Sequence, residues 1–213
     1  MIALIDYGMG NLGSVEKALQ YVGCTTVITS SPQQLAEASG IVLPGVGAFD
    51  DCMRGLRERG LVEPLRELIA AGKPYLGICL GLQMLFEQSE EGQEPGLGIF
   101  PGQVVRFDHD LKIPQIGWNQ VWLRREVPHL AGIPPGSWFY FVHSYYVQPE
   151  DESIIATVTD YGYEFCSAVY RDNVFACQFH PEKSQIAGLK LLKNFKQLTE
   201  AQCMDPPPGG SDT

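Results

Sequence analysis

The sequence lacks any pair of cysteines spaced as Cys-x-x-Cys, and its six cysteines are scattered at positions 24, 52, 79, 166, 177 and 203. This scatter argues against zinc sites and dithiol redox sites, and it favours reduced thiols in a cytoplasmic protein. A run of about 18 apolar residues, which a membrane span requires, is also missing. The first residues, MIALIDYGMGN, contain no basic stretch. We therefore expect neither a membrane span nor a secretory signal peptide.

Basic residues are scarce as well. Fifteen Lys and Arg stand against 25 Asp and Glu, which gives a formal net charge of −10. Nucleic acid and anionic membranes would repel such a chain, so neither is expected as a partner. With 45% apolar residues in a chain of 213, the composition is that of an ordinary globular protein. We expect one domain over residues 1–201 and a disordered tail over 202–213, where DPPPGGSDT offers few apolar groups to bury.

The first 90 residues alternate between strand and helix patterns. Strands are predicted at IALID, TTVIT, GIVLPG and KPYLGI, and helices after Asn11, from Ser31-Pro32, in EPLRELIAAG and over LGLQMLFEQ. Alternation of this kind is typical of a parallel sheet with crossover helices. The sequence therefore predicts an α/β fold.

After Gly92 the pattern changes to several β-rich pieces: GQVVRF, QVWLR, SWFYFVHSYYV, SIIATV, FCSAVYR and VFACQF. We expect these to add antiparallel strands to the parallel core, with the last piece returning toward it. The segment KSQIAGLKLLKNFKQL predicts a closing helix. Its apolar face is expected to contain Ile186, Leu189, Leu192 and Phe195.

The stretch YLGICLGLQMLF places Cys79 between Gly77 and Gly81. One interpretation is a small buried thiol among glycines that permit close packing. The other is a tight turn between strand and helix that holds a nucleophile. Cys79 follows the fourth predicted strand, and reactive groups of open parallel sheets collect beyond the carboxyl ends of strands. A following helix would also stabilise the reactive thiolate.

A thiol nucleophile needs a base, and the chain has four histidines. His109 and His129 lie in polar, proline-rich segments and are predicted on the surface. In FHPEKS, by contrast, His180 ends an apolar strand, and Pro181 stiffens the turn after it. Glu182 points the same way as His180 in extended geometry and could hold the second ring nitrogen. The alternative is a plain strand end, with Glu182 opening the last helix.

The stretch LPGVGAFDD follows the third predicted strand and should lie at the same edge of the sheet as Cys79. An oxyanion hole needs backbone N–H donors at that place. We expect them from the Val46–Gly47 peptide, together with the amide of Leu80 after the nucleophile. Taken only as structure, this loop is a turn.

GICLGLQ together with QFHPEKS resembles the triad, or class I, glutamine amidotransferases, and the resemblance extends over residues 1 to about 200. DYGMGN, LPGVGAF, IPQIGWN and FVHSYYV are similar to one branch of that family, the glutaminase subunits of imidazole glycerol phosphate synthase in histidine biosynthesis. The resemblance implies a flavodoxin-like open mixed sheet with a parallel core. It also implies Cys79 as nucleophile, His180 as general acid and base, and Glu182 as its orienting group. IPQIGWN departs from the usual form of the branch, which has His where this chain has Gln115.

The resemblance further implies a substrate and a partner. Gln83, Glu91, Ser144 and Tyr145 match positions that hold the substrate glutamine. The ammonia released would be used by a separate (β/α)8-barrel synthase subunit, forming a heterodimer, and no cofactor or metal is expected. Contact with that partner is predicted at five residues: Asn11, Trp118, Asn119, Tyr140 and Lys183.

Three alternatives remain beside this interpretation. Subunits of anthranilate or aminodeoxychorismate synthase share the Cys and His motifs, but typically read GVCLGHQ and lack DYGMGN. A cysteine α/β-hydrolase would also show Gly-x-Cys-x-Gly, but its acid precedes the histidine in the chain, whereas Glu182 follows His180. A binding subunit without activity is disfavoured by the complete set of Cys79, His180 and Glu182.

Overall fold

The computed structural model describes residues 1–204, with side chains described to position 201. Twelve strands form one mixed sheet. They are β1 (Ile2–Ile5), β2 (Thr26–Thr29), β3 (Gly40–Gly45), β4 (Tyr75–Cys79), β5 (Gln88–Ser89), β6 (Gly102–Arg106), β7 (Gln115–Leu123), β8 (Ser137–His143), β9 (Tyr145–Pro149), β10 (Ile155–Asp160), β11 (Glu164–Arg171) and β12 (Val174–Cys177).

Helices accompany the parallel part of the sheet and close the fold. They are α1 (Leu12–Tyr21), α2 (Pro32–Glu37), α3 (Phe49–Glu58), α4 (Val62–Ala70), α5 (Leu80–Gln83) and α6 (Gln185–Met204), with 3-10 turns at Pro128–Leu130, Glu152–Ile154 and Pro181–Lys183. None of the helices within residues 1–204 is long and apolar enough to cross a membrane.

The strand order shows why the two halves of the chain meet at one site. The order runs β2-β1-β3-β4-β12-β11-β10-β7-β8. The pairs among the first five strands are parallel, and the pairs from β12 to β8 are antiparallel. The predicted return of the last β piece is confirmed, because β12 lies against β4. Since β4 and β12 run in the same direction, the residues that follow each of them emerge at the same edge of the sheet.

Each strand of the parallel core divides its side chains between two hydrophobic cores. In β1, Ala3 and Ile5 face one core, while Ile2 and Leu4 face the other. The first core contains buried residues of α2, α3 and α4, and the second contains those of α1 and α6. The result is a three-layer α/β arrangement, which matches the predicted open mixed sheet with a parallel core.

Two helices differ from the prediction. The segment after LPGVG was interpreted as a loop, yet Phe49 begins α3, whose residues Phe49, Cys52, Met53 and Leu56 are buried. Their spacing of three and four residues is the signal of an amphipathic helix. The helix predicted over 80–88 ends at Gln83, so α5 is one short turn.

Three predicted environments were wrong. Ile186 lies on α6 but is 85% exposed, whereas Leu192 and Phe195 are buried as expected. His129 is buried and stacks on the Phe175 ring, with ring centroids 4.6 Å apart. Burial lowers its pKa to about 3, so it is a neutral core residue. His109 is half-buried, and both of its ring nitrogens are shielded from solvent.

The predicted domain end at 201 falls inside α6, which continues to Met204. The rest of the predicted tail lies outside the described residues.

Candidate active site

The segment around Cys79 is a strained turn between β4 and α5. Cys79 has φ +56° and ψ −109°, a region that residues other than glycine seldom occupy. A Cβ on Gly77 would lie 2.5 Å from the carbonyl oxygen of Gly81, and one on Gly81 would lie 1.8 Å from that of Leu43. Both glycines are therefore required because backbone approaches them closely. Since α5 has only four residues, its dipole contributes less at Cys79 than the predicted longer helix would.

This close approach makes Gly81 a stability determinant. We expect Gly81→Ala to lower the free energy of unfolding by at least about 2 kcal/mol, because the new methyl group overlaps the backbone of β3. Gly13→Ala is the matched control, since no atom lies within 4 Å of its added Cβ. Gly13 is exposed in the first turn of α1, so its replacement should stabilise by less than about 1 kcal/mol, the value for a helix interior. Urea denaturation measures both, and equal stability of Gly81→Ala and wild type would contradict this packing.

A cavity of about 340 Å³ opens beside Cys79 and gathers residues from distant parts of the chain. It is lined by Val46, Gly47, Cys79, Leu80, Gln83, Glu91, Pro114, Val142, His143, Ser144, Tyr145 and His180. The predicted nucleophile, base, oxyanion donors and substrate contacts thus all border one cavity. Its volume suits a small polar metabolite of amino-acid size.

His180 and Glu182 form a buried pair at the edge of this cavity. His180 Nδ1 lies 2.8 Å from Glu182 Oε1, and both side chains are 2% exposed. Among the described residues, His180 Nε2 is buried without a hydrogen-bond partner, and the residue lines the same cavity as Cys79. Burial alone would lower the pKa of His180, but its interactions with Cys79 and Glu182 outweigh burial and raise it to about 10.

The loop after β3, where oxyanion donors are expected, borders the cavity with Val46 and Gly47. Gly47 has φ +104°, which favours glycine. The Val46 carbonyl accepts a hydrogen bond from the Cys52 thiol, with Sγ and O 3.7 Å apart, and Cys52 does not line the cavity. Because C=O and N–H of a trans peptide point in opposite directions, the Gly47 N–H is turned away from Cys52.

Glu91 borders the cavity at the amino end of α3. Its Oε2 accepts a hydrogen bond from the Phe49 N–H at 2.9 Å, a favourable place for a carboxylate. Burial nevertheless raises the pKa of Glu91. A fixed, partly desolvated carboxylate of this kind suits the ammonium group of an amino-acid ligand.

Gln83 is buried rather than solvated. Its Nε2 donates to the Tyr145 carbonyl at 3.1 Å and to Gln178 Oε1 at 3.0 Å. Gln178, which sequence reasoning had treated as part of an apolar strand, places its own Nε2 3.5 Å from Cys79 Sγ. The available signal was a polar side chain two residues before His180 in an otherwise apolar segment.

His143 is a second residue that sequence reasoning missed. It is buried and lines the cavity, and its pKa is lowered to about 4 mainly by burial, so it is neutral. Its Nδ1–H donates to the Tyr145 carbonyl at 2.8 Å, and its Nε2 lies 2.8 Å from the side-chain amide of Gln115. Gln115, the position that departs from the usual form of IPQIGWN, therefore supports a cavity residue from behind.

The predicted partner residues fall into two groups. Lys183 Nζ lies 5.6 Å from the centre of the Tyr140 ring, and Trp118 meets the same ring edge-on at 6.1 Å. Asn11 is exposed at the start of α1. Asn119 differs, because its amide donates to the Asp160 carbonyl and accepts from the Gln120 N–H. The side-chain amide of Asn119 is thus already hydrogen-bonded within this chain.

Comparison with known proteins identifies the family of this chain. The family model for class-I glutamine amidotransferases matches residues 3–198. A crystal structure of a glutamine amidotransferase superposes with a TM-score of 0.74 at 18% identity, covering 94% of this chain and 100% of the other, and so shares the fold. The chain belongs to the class I glutamine amidotransferase family.

Two curated relatives indicate the branch of this family to which the chain is similar. It is 55% identical over 206 residues to the imidazole glycerol phosphate synthase subunit HisH of Syntrophotalea carbinolica, covering 93% of this chain and 100% of that protein. It is 56% identical over 199 residues to the subunit of the same name from Aquifex aeolicus, covering 92% and 96%.

Proposed function

We propose that this chain is the glutaminase subunit of an imidazole glycerol phosphate synthase, and that it hydrolyses glutamine to glutamate and ammonia through a thioester on Cys79. The observation that best supports the proposal is that His180, paired with Glu182 and with its Nε2 free of a hydrogen-bond partner among the described residues, lines the same cavity as the strained Cys79. The curated relatives of the same name support the choice of synthase.

The chemistry follows from these positions. The Cys79 thiolate attacks the side-chain amide carbon of glutamine, and the N–H groups of Gly47 and Leu80 stabilise the oxyanion. Protonated His180 gives its Nε2 proton to the departing nitrogen, which leaves as ammonia. Neutral His180 then takes a proton from water as the water attacks the thioester. Glutamate and the Cys79 thiolate are released. Glu182 keeps the ring oriented through its bond to Nδ1.

Substrate selection is assigned to the cavity wall. The Glu91 carboxylate is placed to bind the α-ammonium group of glutamine, while Gln83, Ser144 and Tyr145 contact the remainder of the molecule. These roles come from the resemblance and agree with the positions of the four residues around one cavity.

Ammonia would pass to a separate synthase subunit, for which the (β/α)8 barrel of the family is the proposed partner. We place its contact on the surface formed by Trp118, Tyr140 and Lys183, next to His180, whose ring lies 6.5 Å from that of Tyr140. A partner bound on this surface would contact Lys183, which directly follows Glu182 in the chain. Its binding would therefore be placed to change the geometry of the His180–Glu182 pair.

The proposal is tested by measuring ammonia release from glutamine with the subunit alone and with the synthase barrel of the same organism. We expect low activity alone and strong stimulation by the barrel. Substituting a barrel of unrelated function should give no stimulation. Equal stimulation by anthranilate synthase components would instead favour that branch of the family.

The Gly47 peptide provides a prediction about this stimulation. Its orientation depends on positive φ, and an added Cβ would lie 2.8 Å from Met9 Cε. We expect Gly47→Ala to disfavour the orientation that offers N–H to the oxyanion, and to lower partner-stimulated turnover by about 10²-fold, the effect of losing one such donor. The ratio of stimulated to basal activity should fall. An unchanged ratio would exclude a role for the Gly47 peptide in the stimulation by the partner.

A further inference from the structure

We propose that Gln178 is a further residue of the active site, which donates a hydrogen bond to Cys79 Sγ and stabilises its thiolate, and that Gln83 fixes the orientation of this donor. The inference rests on the proposed function, since it assigns a thiolate to Cys79. It gives Gln83 a second role besides contact with the substrate.

Both the backbone N–H and the side-chain amide of Gln178 are hydrogen-bonded in the protein interior. It follows β12, is 0% exposed, and its backbone N–H donates to the Ser167 carbonyl at 2.9 Å. Its side chain extends to Cys79, where Nε2 lies 3.5 Å from Sγ, and its Oε1 receives the hydrogen bond from Gln83. A fully buried amide directly after a core strand has no solvent to bind, so we assign its function from these two contacts.

The direction of the hydrogen bonds is fixed by one backbone carbonyl. The carbonyl of Tyr145 can only accept, so the Gln83 group that faces it at 3.1 Å must be the NH₂. The second hydrogen of that NH₂ is directed at Gln178, which must therefore present its oxygen to Gln83. The opposite end of the Gln178 amide is then its NH₂, and this end faces Cys79. Gln178 consequently offers a donor, which stabilises a charged acceptor.

The neutral donor of Gln178 adds to the interaction of Cys79 with His180 and does not replace it. While Cys79 is protonated, its thiol can donate to the Val142 carbonyl, 4.0 Å away. As the thioester is hydrolysed, His180 regains a proton from the attacking water, and Cys79 leaves as a thiolate. The N–H of Gln178 carries no transferable charge and remains beside the sulfur in both steps.

Other titratable groups surround the sulfur and are held constant in the test. They are His180, Glu182, Glu91 and His143 at the cavity, and Tyr7, Cys52 and Cys177 behind it.

The test compares the pH dependence of iodoacetamide alkylation at Cys79 in the isolated subunit, quantified on the Cys79 peptide by mass spectrometry. Gln178→Met keeps the length of the side chain and removes the donor. Gln178→Glu still accepts from Gln83 but places a carboxylate beside the sulfur. Gln148→Met is the control, a surface amide on β9 that donates only to the Tyr146 hydroxyl and receives a contact from Gln103.

We expect the alkylation inflection of Gln178→Met to move up by about one to two pH units, the effect of losing a hydrogen bond to a charged group. Gln178→Glu should move it further, and both variants should hydrolyse glutamine at least about tenfold more slowly. Gln148→Met should match wild type. An unchanged inflection in Gln178→Met would overturn the proposal, even if activity fell, because that pattern is expected of a merely structural residue.

Thermal melting shows whether Gln178→Met is folded. If it is not, Gln178→Glu decides, and an inflection there that does not rise would overturn the proposal. The alkylation of Cys79 does not require turnover, so this test is independent of the proposed function. Failure of the proposed function would instead appear as glutamine hydrolysis in a variant that lacks Cys79.

Discussion

Replacing Cys79 with alanine should reduce partner-stimulated glutamine hydrolysis by at least about 10⁴-fold, since removal of a nucleophile from a catalytic triad leaves only binding and oxyanion stabilisation. Ammonia release in the presence of the synthase barrel measures this loss. Binding of the barrel should be unchanged, because Cys79 is 6% exposed and lies inside the cavity.

Cys24→Ala is the matched control for that loss. Cys24 is also a nearly buried thiol, but it precedes β2 and does not line the cavity. Its replacement should leave turnover near the wild-type value. Cys52 serves less well as a control, because its thiol holds the Val46 carbonyl in the oxyanion loop. Substantial turnover in Cys79→Ala would remove the basis of the mechanism.

The second large effect distinguishes the role of His180 from that of Glu182. We expect His180→Asn to lower kcat/KM by about 10³- to 10⁴-fold, because asparagine cannot transfer a proton. Glu182→Gln should cost only about 10- to 10²-fold, since the glutamine oxygen can still accept from Nδ1–H and keep the ring oriented. Steady-state kinetics of the two variants test the assignment. Equal losses would mean that the roles are reversed or shared.

The pH profile of Glu182→Gln adds an independent check. The carboxylate of Glu182 contributes to raising the pKa of His180 to about 10. Removing its charge should lower that pKa, so the protonated form of His180 is lost at lower pH. The alkaline limb of kcat/KM is therefore expected to move toward neutral pH. A limb that moved upward would contradict the charge interaction between the two residues.

The sequence carries much of this fold because its signals are local. The alternation before Gly92 predicts the parallel strands. A cysteine between two glycines predicts the tight turn between β4 and α5. Glycine is required at position 81 because the Leu43 carbonyl approaches it too closely for a side chain. The contact between His180 and Glu182 could be predicted because the two residues are two positions apart and follow a strand that returns to the core.

Other features depend on tertiary contacts that no local pattern contains. Gln178 and His143 sit in strands that read as apolar, and their functions become visible only when Cys79 and Gln115 lie beside them. Ile186 fits the helical period of α6, yet it lies in the first turn of that helix and is exposed. Helix α3 is a different case, because the spacing of its buried residues is a local signal that the sequence itself contains.

The central claim is that glutamine is cleaved through a covalent bond to Cys79. The most direct measurement is acid quenching of the subunit–barrel complex during turnover of glutamine labelled in its carbon chain, followed by peptide mapping. The account predicts label bound to the peptide that contains Cys79, lost on treatment with hydroxylamine and absent from Cys79→Ala. Label on another residue, or rapid turnover with no covalent label at any time, would contradict it.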